Sequence, residues 1–354
     1  MAYTTIDDPT QYFNTVLWTG DGTDDRNITG VGFQPDMVWE KKRNEAGSHR
    51  IADSVRGATN VLFPDLTNAE ASRPNEFQAF ISDGFQIGSD SNFNGSSNTH
   101  VGWSWLAGTS FSNDASATGV GSIDSSGSVN ETAGFSICTY TGVSSAGTIK
   151  HGLSTVPSMI IWKNRSASNG WIVYHHKNTS APETDYLELH ATNATNDLNT
   201  IMNDTAPTSS VFSIGTEGAV GGGNTNNFVA YIFSERKGYS KFGSYTGNGN
   251  ANGTFVYTGF KPAWVMFKGS SFSGENWDMY DNKRETFNVM DSTLKADSNG
   301  AESSNSLFNV DFLSNGIKLR NGHTGTNQSG STYIYMAFAE SPFVNSNGVP
   351  CNAR

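Results

Sequence analysis

The chain has 354 residues and carries 22 Lys and Arg against 33 Asp and Glu, a formal charge of -11. That balance excludes nucleic acid as an expected partner, because phosphate binding needs clustered Lys and Arg. Charged residues are only 16% and aromatics 12%, with 38 glycines, which fits short strands joined by many turns and argues against disorder.

Residues 1–15 read as an N-terminal arm without the charged start and apolar run of a secretory signal. No stretch of about 18 apolar residues follows, so neither a transmembrane helix nor membrane insertion is expected. From Trp18 onward the chain repeats itself. Trp18-Thr19-Gly20, Tyr140-Thr141-Gly142 and Tyr245-Thr246-Gly247 each open a block, and Pro35, Pro157 and Pro262 each follow the aromatic by 17 residues. Lys41, Lys163 and Lys268 follow those prolines by 6, across the runs DMVWE, SMIIW and AWVMF. Internal repetition at domain-sized spacing predicts three units, each with its own core. The boundaries are 16–107, 134–237 and 238–343, with a Gly/Ser-rich linker at 108–133 and a tail at 344–354. The linker composition predicts a flexible tether, so the second and third units should pack closely while the first hangs further off.

Within a unit the elements come in a fixed order. The proline-to-lysine run predicts a strand covered on both faces, with Glu40 giving the first unit a wetter face. A second strand follows in 49–53, 171–175 and 277–281, forming a hairpin with the first. Asp83-Gly84 and Asn315-Gly316 predict a later tight hairpin, which is degraded in the second unit. A closing strand ends each unit (101–105, 228–233, 333–338) and pairs with the opening one. Helical periodicity is nearly absent, with a turn or two at 60–71 and 196–203. The fold class is all-β: three tandem antiparallel β-sandwich repeats of jelly-roll type.

Catalytic constellations are thin. Gly221-Gly222-Gly223 opens no helix and lacks the Lys-Ser/Thr of a phosphate loop. His175 and His176 are adjacent in a strand and face opposite sides, a poor pair of metal ligands, and read as surface or turn residues. Asp21, Asp24 and Asp25 form a solvated acidic turn rather than a full calcium loop. Cys138 and Cys351 are too few for a disulfide framework. Glu235 and Glu340 occupy matching places after the closing strands and read as charges that protect a strand end. The repeated lysines read as strand ends with their heads in water. No catalytic residue, metal or cofactor is expected. Aromatics that do not match between units are the ligand-contact candidates: Trp39, Trp103, Tyr186, Tyr239 and Phe272.

The stretches at 49–65 (HRIADSVRGATNVLFPD), 133–142 (AGFSICTYTG), 150–175, 253–268 (GTFVYTGFKPAWVMFK) and 333–343 (YIYMAFAESPF) resemble a repeat domain of tail and virion structural proteins of marine tailed bacteriophages. The resemblance spans about 16–345. It implies concanavalin A-like jelly-roll modules made in the host cytoplasm and carried on the virion, as fibre, spike, tail or capsid decoration. It also implies contact with other virion proteins and with a host cell-surface glycan. A homotrimer is expected, as in many viral fibres. A glycan-binding adhesin or receptor-binding protein is the alternative. A glycoside hydrolase is the third reading and would require two close acids in a groove.

Overall fold

The computed structural model describes residues 3–352. Each aromatic-Thr-Gly motif ends an opening strand: Phe13–Thr19, Phe135–Thr141 and Ser240–Thr246. The glycine is required because the chain passes very close there. A Cβ on Gly20, Gly142 or Gly247 would lie 2.2, 2.5 or 2.3 Å from the carbonyl oxygens of Gly95, Gly221 and Gln328. The aromatic stacks on a ring of the closing strand in every unit: Trp18 on His100, Tyr140 on Phe228 and Tyr245 on Tyr333, with centroids 5.1, 5.4 and 5.1 Å apart.

The closing strands Thr99–Trp105, Asn227–Phe233 and Thr332–Pro342 pair antiparallel with the opening strands on one side. On the other side they pair with the proline-to-lysine strands Met37–Lys42, Met159–Asn164 and Phe260–Gly269. Three further strands continue each sheet by short antiparallel steps, so the same six-strand order occurs three times. A small sheet covers one face of each large one. It has three strands in the first and third units, turned at Asp83-Gly84 and Asn315-Gly316, and only two in the second. The molecule is all-β and built of antiparallel sandwiches, as the alternating pattern predicts.

Two features differ from the sequence reading. The segment 108–133 is no tether. Thr109–Asn113 and Ser125–Asn130 pair with each other and extend the second unit's sheet beyond its opening strand, giving it eight strands. Serines and glycines form this strand pair because it needs little side-chain packing at a sheet edge. The stretch 60–71 is not helical, whereas Asn199–Met202 makes a single turn.

The second difference is larger. Each unit has an apolar cluster between its large and small sheets. A fourth cluster is shared, because the outer faces of the three large sheets turn toward one another and bury side chains from all three units. Equivalent positions along the axis carry different residues. Trp103, Tyr231 and Met336 correspond, and each lies opposite Trp39, Ile161 or Met266 on the neighbouring strand. Two indoles from one unit are matched by smaller side chains from the others, as close packing at one common centre demands. The first unit is therefore held as tightly as the other two: Phe13 stacks on Phe338 at 5.0 Å and Trp105 meets Trp264 edge-on at 5.9 Å.

The contacts between units run in a ring. Lys41 Nζ donates to Lys42 O at 2.6 Å and to Asn299 O of the third unit at 3.4 Å. Lys163 donates to Thr67 O of the first unit at 2.8 Å, and Lys268 to Glu275 O at 2.6 Å and Ala191 O of the second unit at 3.4 Å. All three ammonium groups are buried rather than in water, so the motif lysine is an inter-unit bolt. Burial lowers them from 10.5 to about 8, 7 and 8. Beside them Trp171 Nε1 donates to Phe63 O at 2.8 Å and Trp277 Nε1 to Glu188 O at 2.9 Å, and His49 takes the same place with Nε2 2.9 Å from Lys295 O.

At two of the three seams a cluster of four charged side chains closes the ring. Arg56 binds Asp53 at 2.5 Å and Glu70 at 2.7 Å, and Glu70 binds Arg165 of the second unit at 2.8 Å. Arg284 repeats this with Asp281, Glu302 and Arg43 of the first unit, at 2.5, 2.8 and 2.8 Å. At the third seam the corresponding positions are neutral. Thr195 Oγ1 donates to Asn178 Oδ1 at 2.8 Å, and Thr195 N to Ser270 O of the third unit at 2.9 Å.

Candidate functional site

Within a threefold scheme, function is best sought where one copy departs from the others. The departure lies inside the first unit. The position facing its interior on the proline-to-lysine strand is Glu40, opposite Arg50; the second unit has Trp162 opposite Ile172 there. The closing strand adds His100 where the other units have Phe228 and Tyr333. Glu40 is not the wetter face that alternation suggests; it is 1% exposed. Its Oε1 lies 2.7 Å from His100 Nδ1, its Oε2 is 3.8 Å from Arg50 Nη1, and Arg50 Nε donates to Glu76 at 2.8 Å. Burial raises Glu76 while Arg50 pulls it back. Glu40 Oε2 and His100 Nε2 are buried without a hydrogen-bond partner. The Arg50–Glu76 pair floors a cavity of about 390 Å³ that opens beside Phe63, Arg73, Asp90 and Asn92.

The third unit breaks the pattern differently. Asp278 stands at the Arg50 position, opposite Phe267, and is fully buried. Burial raises its carboxyl from 3.8 to about 7, with Lys295 and Lys268 lowering it and Asp297 and Glu275 raising it further. The folded state thus holds this proton more tightly than the unfolded chain. The stability so gained is complete below about pH 4 and is lost as pH rises through about 7. Asp278→Asn is expected to stabilise the protein at pH 8 by on the order of 1–4 kcal/mol and much less at pH 4. Thermal melts at the two pH values check this; equal shifts would mean that another group titrates.

The aromatic contact candidates separate sharply. Trp39, Trp103 and Tyr239 are 2%, 0% and 1% exposed and belong to the shared centre, so none is available to a ligand. Trp39 and Trp103 fail to match between units because a common axis is filled by unlike side chains, whereas Tyr239 has a counterpart in Tyr12, also one residue before an opening strand, and meets it edge-on at 6.0 Å. Tyr186 is half-buried against the second unit's interior, and Phe272 is half-buried edge-on to Tyr333 at 5.6 Å. His175 is a buried strand-end residue at a seam rather than a surface or turn one, while His176 does lie in a turn, half-buried against the same seam. His175 Nε2 lies 3.2 Å from Tyr335 O and His176 Nε2 2.8 Å from Phe242 O, and burial drops His175 to about 3. Glu235 pairs with Lys241 at 2.6 Å and Glu340 with Lys261 at 2.9 Å. Asp21 accepts from Thr23 N and Oγ1 within its turn, at 2.9 and 2.7 Å. Among the described residues no three His, Cys, Asp or Glu side chains are grouped to hold a metal, and no helix is long and apolar enough to cross a membrane.

Sequence reasoning missed Arg50, Glu76 and His100. The visible signal was Glu40, a charge in an otherwise apolar run, with Arg50 across the hairpin from it. The profile of a domain of unknown function, DUF7483, matches residues 8–342. The chain belongs to the DUF7483 family. That match covers all three units and the strands of 108–133, so this DUF7483 domain is the whole ring rather than one repeat of it. No curated protein and no solved structure matches the chain.

Proposed function

We propose that this DUF7483 chain is a non-enzymatic structural protein of a bacteriophage particle, carried on the tail or capsid exterior, where it presents β-sandwich modules for assembly or host attachment. The observation that carries the reading is the shared centre. Three sheets around one core, bolted by buried lysines at every seam, make a stiff block of the kind that fibres and decoration proteins obtain from three chains. In this proposal the threefold arrangement is supplied within one polypeptide, and the free protein is a monomer rather than a homotrimer. Glu235 and Glu340, each paired with a lysine, act as strand-end charges. The third unit is the side turned toward other virion proteins: Phe255, Tyr257, Phe287, Val289 and Leu307, five of the nine exposed large apolar side chains among the described residues, lie there.

The test is imaging of purified particles of the phage that encodes the chain, together with the solution mass. Density for the three-sheet ring on the particle exterior, and a mass near 38.1 kDa, are the expected results. Particles that lack the protein would overturn the structural role; a mass three times larger would overturn the monomer. A glycan-binding adhesin is the second reading, favoured by the cavity over Arg50.

A further inference from the structure

We propose that the cavity of about 390 Å³ floored by Arg50 and Glu76 binds a neutral polyhydroxylated ligand, a sugar ring with adjacent hydroxyls. The proposal deepens the attachment branch of the reading above and rests on it for its biological sense, but its test needs no particle.

The first argument is energetic and internal to the chain. The second unit fills the corresponding interior with Trp162, Ile172 and Phe228, so the fold has an all-apolar solution. Replacing buried ion pairs by packed apolar groups is commonly neutral or stabilising. The sandwich therefore does not require the Glu40–Arg50 charges, which the second unit replaces with Trp162 and Ile172.

The second argument is geometric. The Arg50 side chain is 6% exposed yet lines the cavity. It is fixed by Glu76 through Nε and by Ser48 O through Nη1, at 2.8 and 2.6 Å, while none of the described residues accepts from Nη2. The guanidinium is thus fixed through two of its nitrogens, with the third left for an acceptor. Phe63 forms the apolar wall, with the guanidinium carbons of Arg50 and Arg73 5.9 and 6.0 Å from its ring centre. Asp90 and Asn92 stand at the rim, and Asn299 of the third unit completes the lining.

The third argument is charge. Arg50 and Arg73 are balanced by Glu76 and Asp90, so an ion of either sign gains little on entry. Donors and acceptors lie side by side, which suits a hydroxyl, since it both donates and accepts. The volume lies within the range of about 300–1,000 Å³ typical of small-molecule sites, and the polar lining is richer than a drug-like pocket carries.

The experiment is ligand-detected NMR on the full chain. Glucose, galactose, mannose and N-acetylglucosamine serve as neutral probes at millimolar concentration, and sialic acid and inorganic phosphate as charged ones. At least one neutral sugar should show saturation transfer, and Arg73→Ala and Asn92→Ala should weaken it at least tenfold. Both residues sit at exposed positions, so unchanged melting temperatures will show that these variants fold. Lys177→Ala, remote and exposed, should bind as the parent does. Silence from every neutral sugar, binding of the charged probes alone, or binding that survives both rim substitutions would each overturn the site. A chain found on particles that binds no sugar would sink this inference and leave the structural role standing.

Discussion

Trp264→Ala is expected to destabilise the protein by about 3–5 kcal/mol, and to do so for all three units at once. The indole is fully buried in the shared centre, where it meets Trp105 at 5.9 Å, Phe338 at 6.1 Å, Trp103 at 6.3 Å and Phe13 at 6.4 Å. Two of those partners, Trp103 and Trp105, lie on the first unit's closing strand and one, Phe338, on the third's. Removing the ring leaves a cavity that no single sheet can close, since the walls belong to different units. Denaturant unfolding followed by tryptophan fluorescence and by far-UV circular dichroism should shift together as one transition. Separate transitions, with only the third unit's displaced, would show that the three sandwiches fold independently and that the central cluster is incidental. Trp264→Phe should lose less, because most of the apolar volume stays.

Arg56→Ala should cost a similar amount, about 3–5 kcal/mol, for a different reason. The guanidinium is wholly buried and holds Asp53 at 2.5 Å and Glu70 at 2.7 Å, and Asp53 also accepts from Tyr231 of the second unit at 2.7 Å. Without it two carboxylates face each other at a closed seam with only Arg165 to offset them. The third seam is a built-in control. Asn178 occupies the matching place with only a neutral hydrogen bond to Thr195, so Asn178→Ala should cost only about 1 kcal/mol. Equal losses from the two substitutions would show that the four-charge cluster adds no more to the seam than the neutral hydrogen bond does.

Much of this architecture can be read from the chain. The aromatic-Thr-Gly, the proline and the lysine mark the same three points of every sheet, and Asp83-Gly84 and Asn315-Gly316 sit at the turns of the small sheets. The apolar runs between Pro and Lys also announce correctly that both faces are covered. What covers them is not written locally. Met159 and Ile161 face the common centre while Ile160 and Trp162 face the second unit's own interior, yet all four are simply apolar. The lysines mislead for the same reason, because each ammonium at a strand end reaches, besides a local carbonyl, one in another unit 77 to 258 residues away. The strands of 108–133 escape notice because small polar residues at a sheet edge carry almost no periodic signal. In the candidate site Glu40 is conspicuous, but Glu76 and His100 join it only through folding, from 36 and 60 residues downstream.

Joining three sandwiches in one polypeptide has a genetic consequence. In an assembly of identical chains a substitution is copied to every position around the axis, so a charge useful on one flank must be tolerated on all. Here each flank is encoded separately. That freedom explains how a histidine can replace a tryptophan at His49 alone, how one seam can do without its arginine, and how two interiors can each hold a carboxylate, Glu40 and Asp278, while the second stays greasy. Selection can therefore remodel a single flank for a new surface while the remaining two keep the block standing.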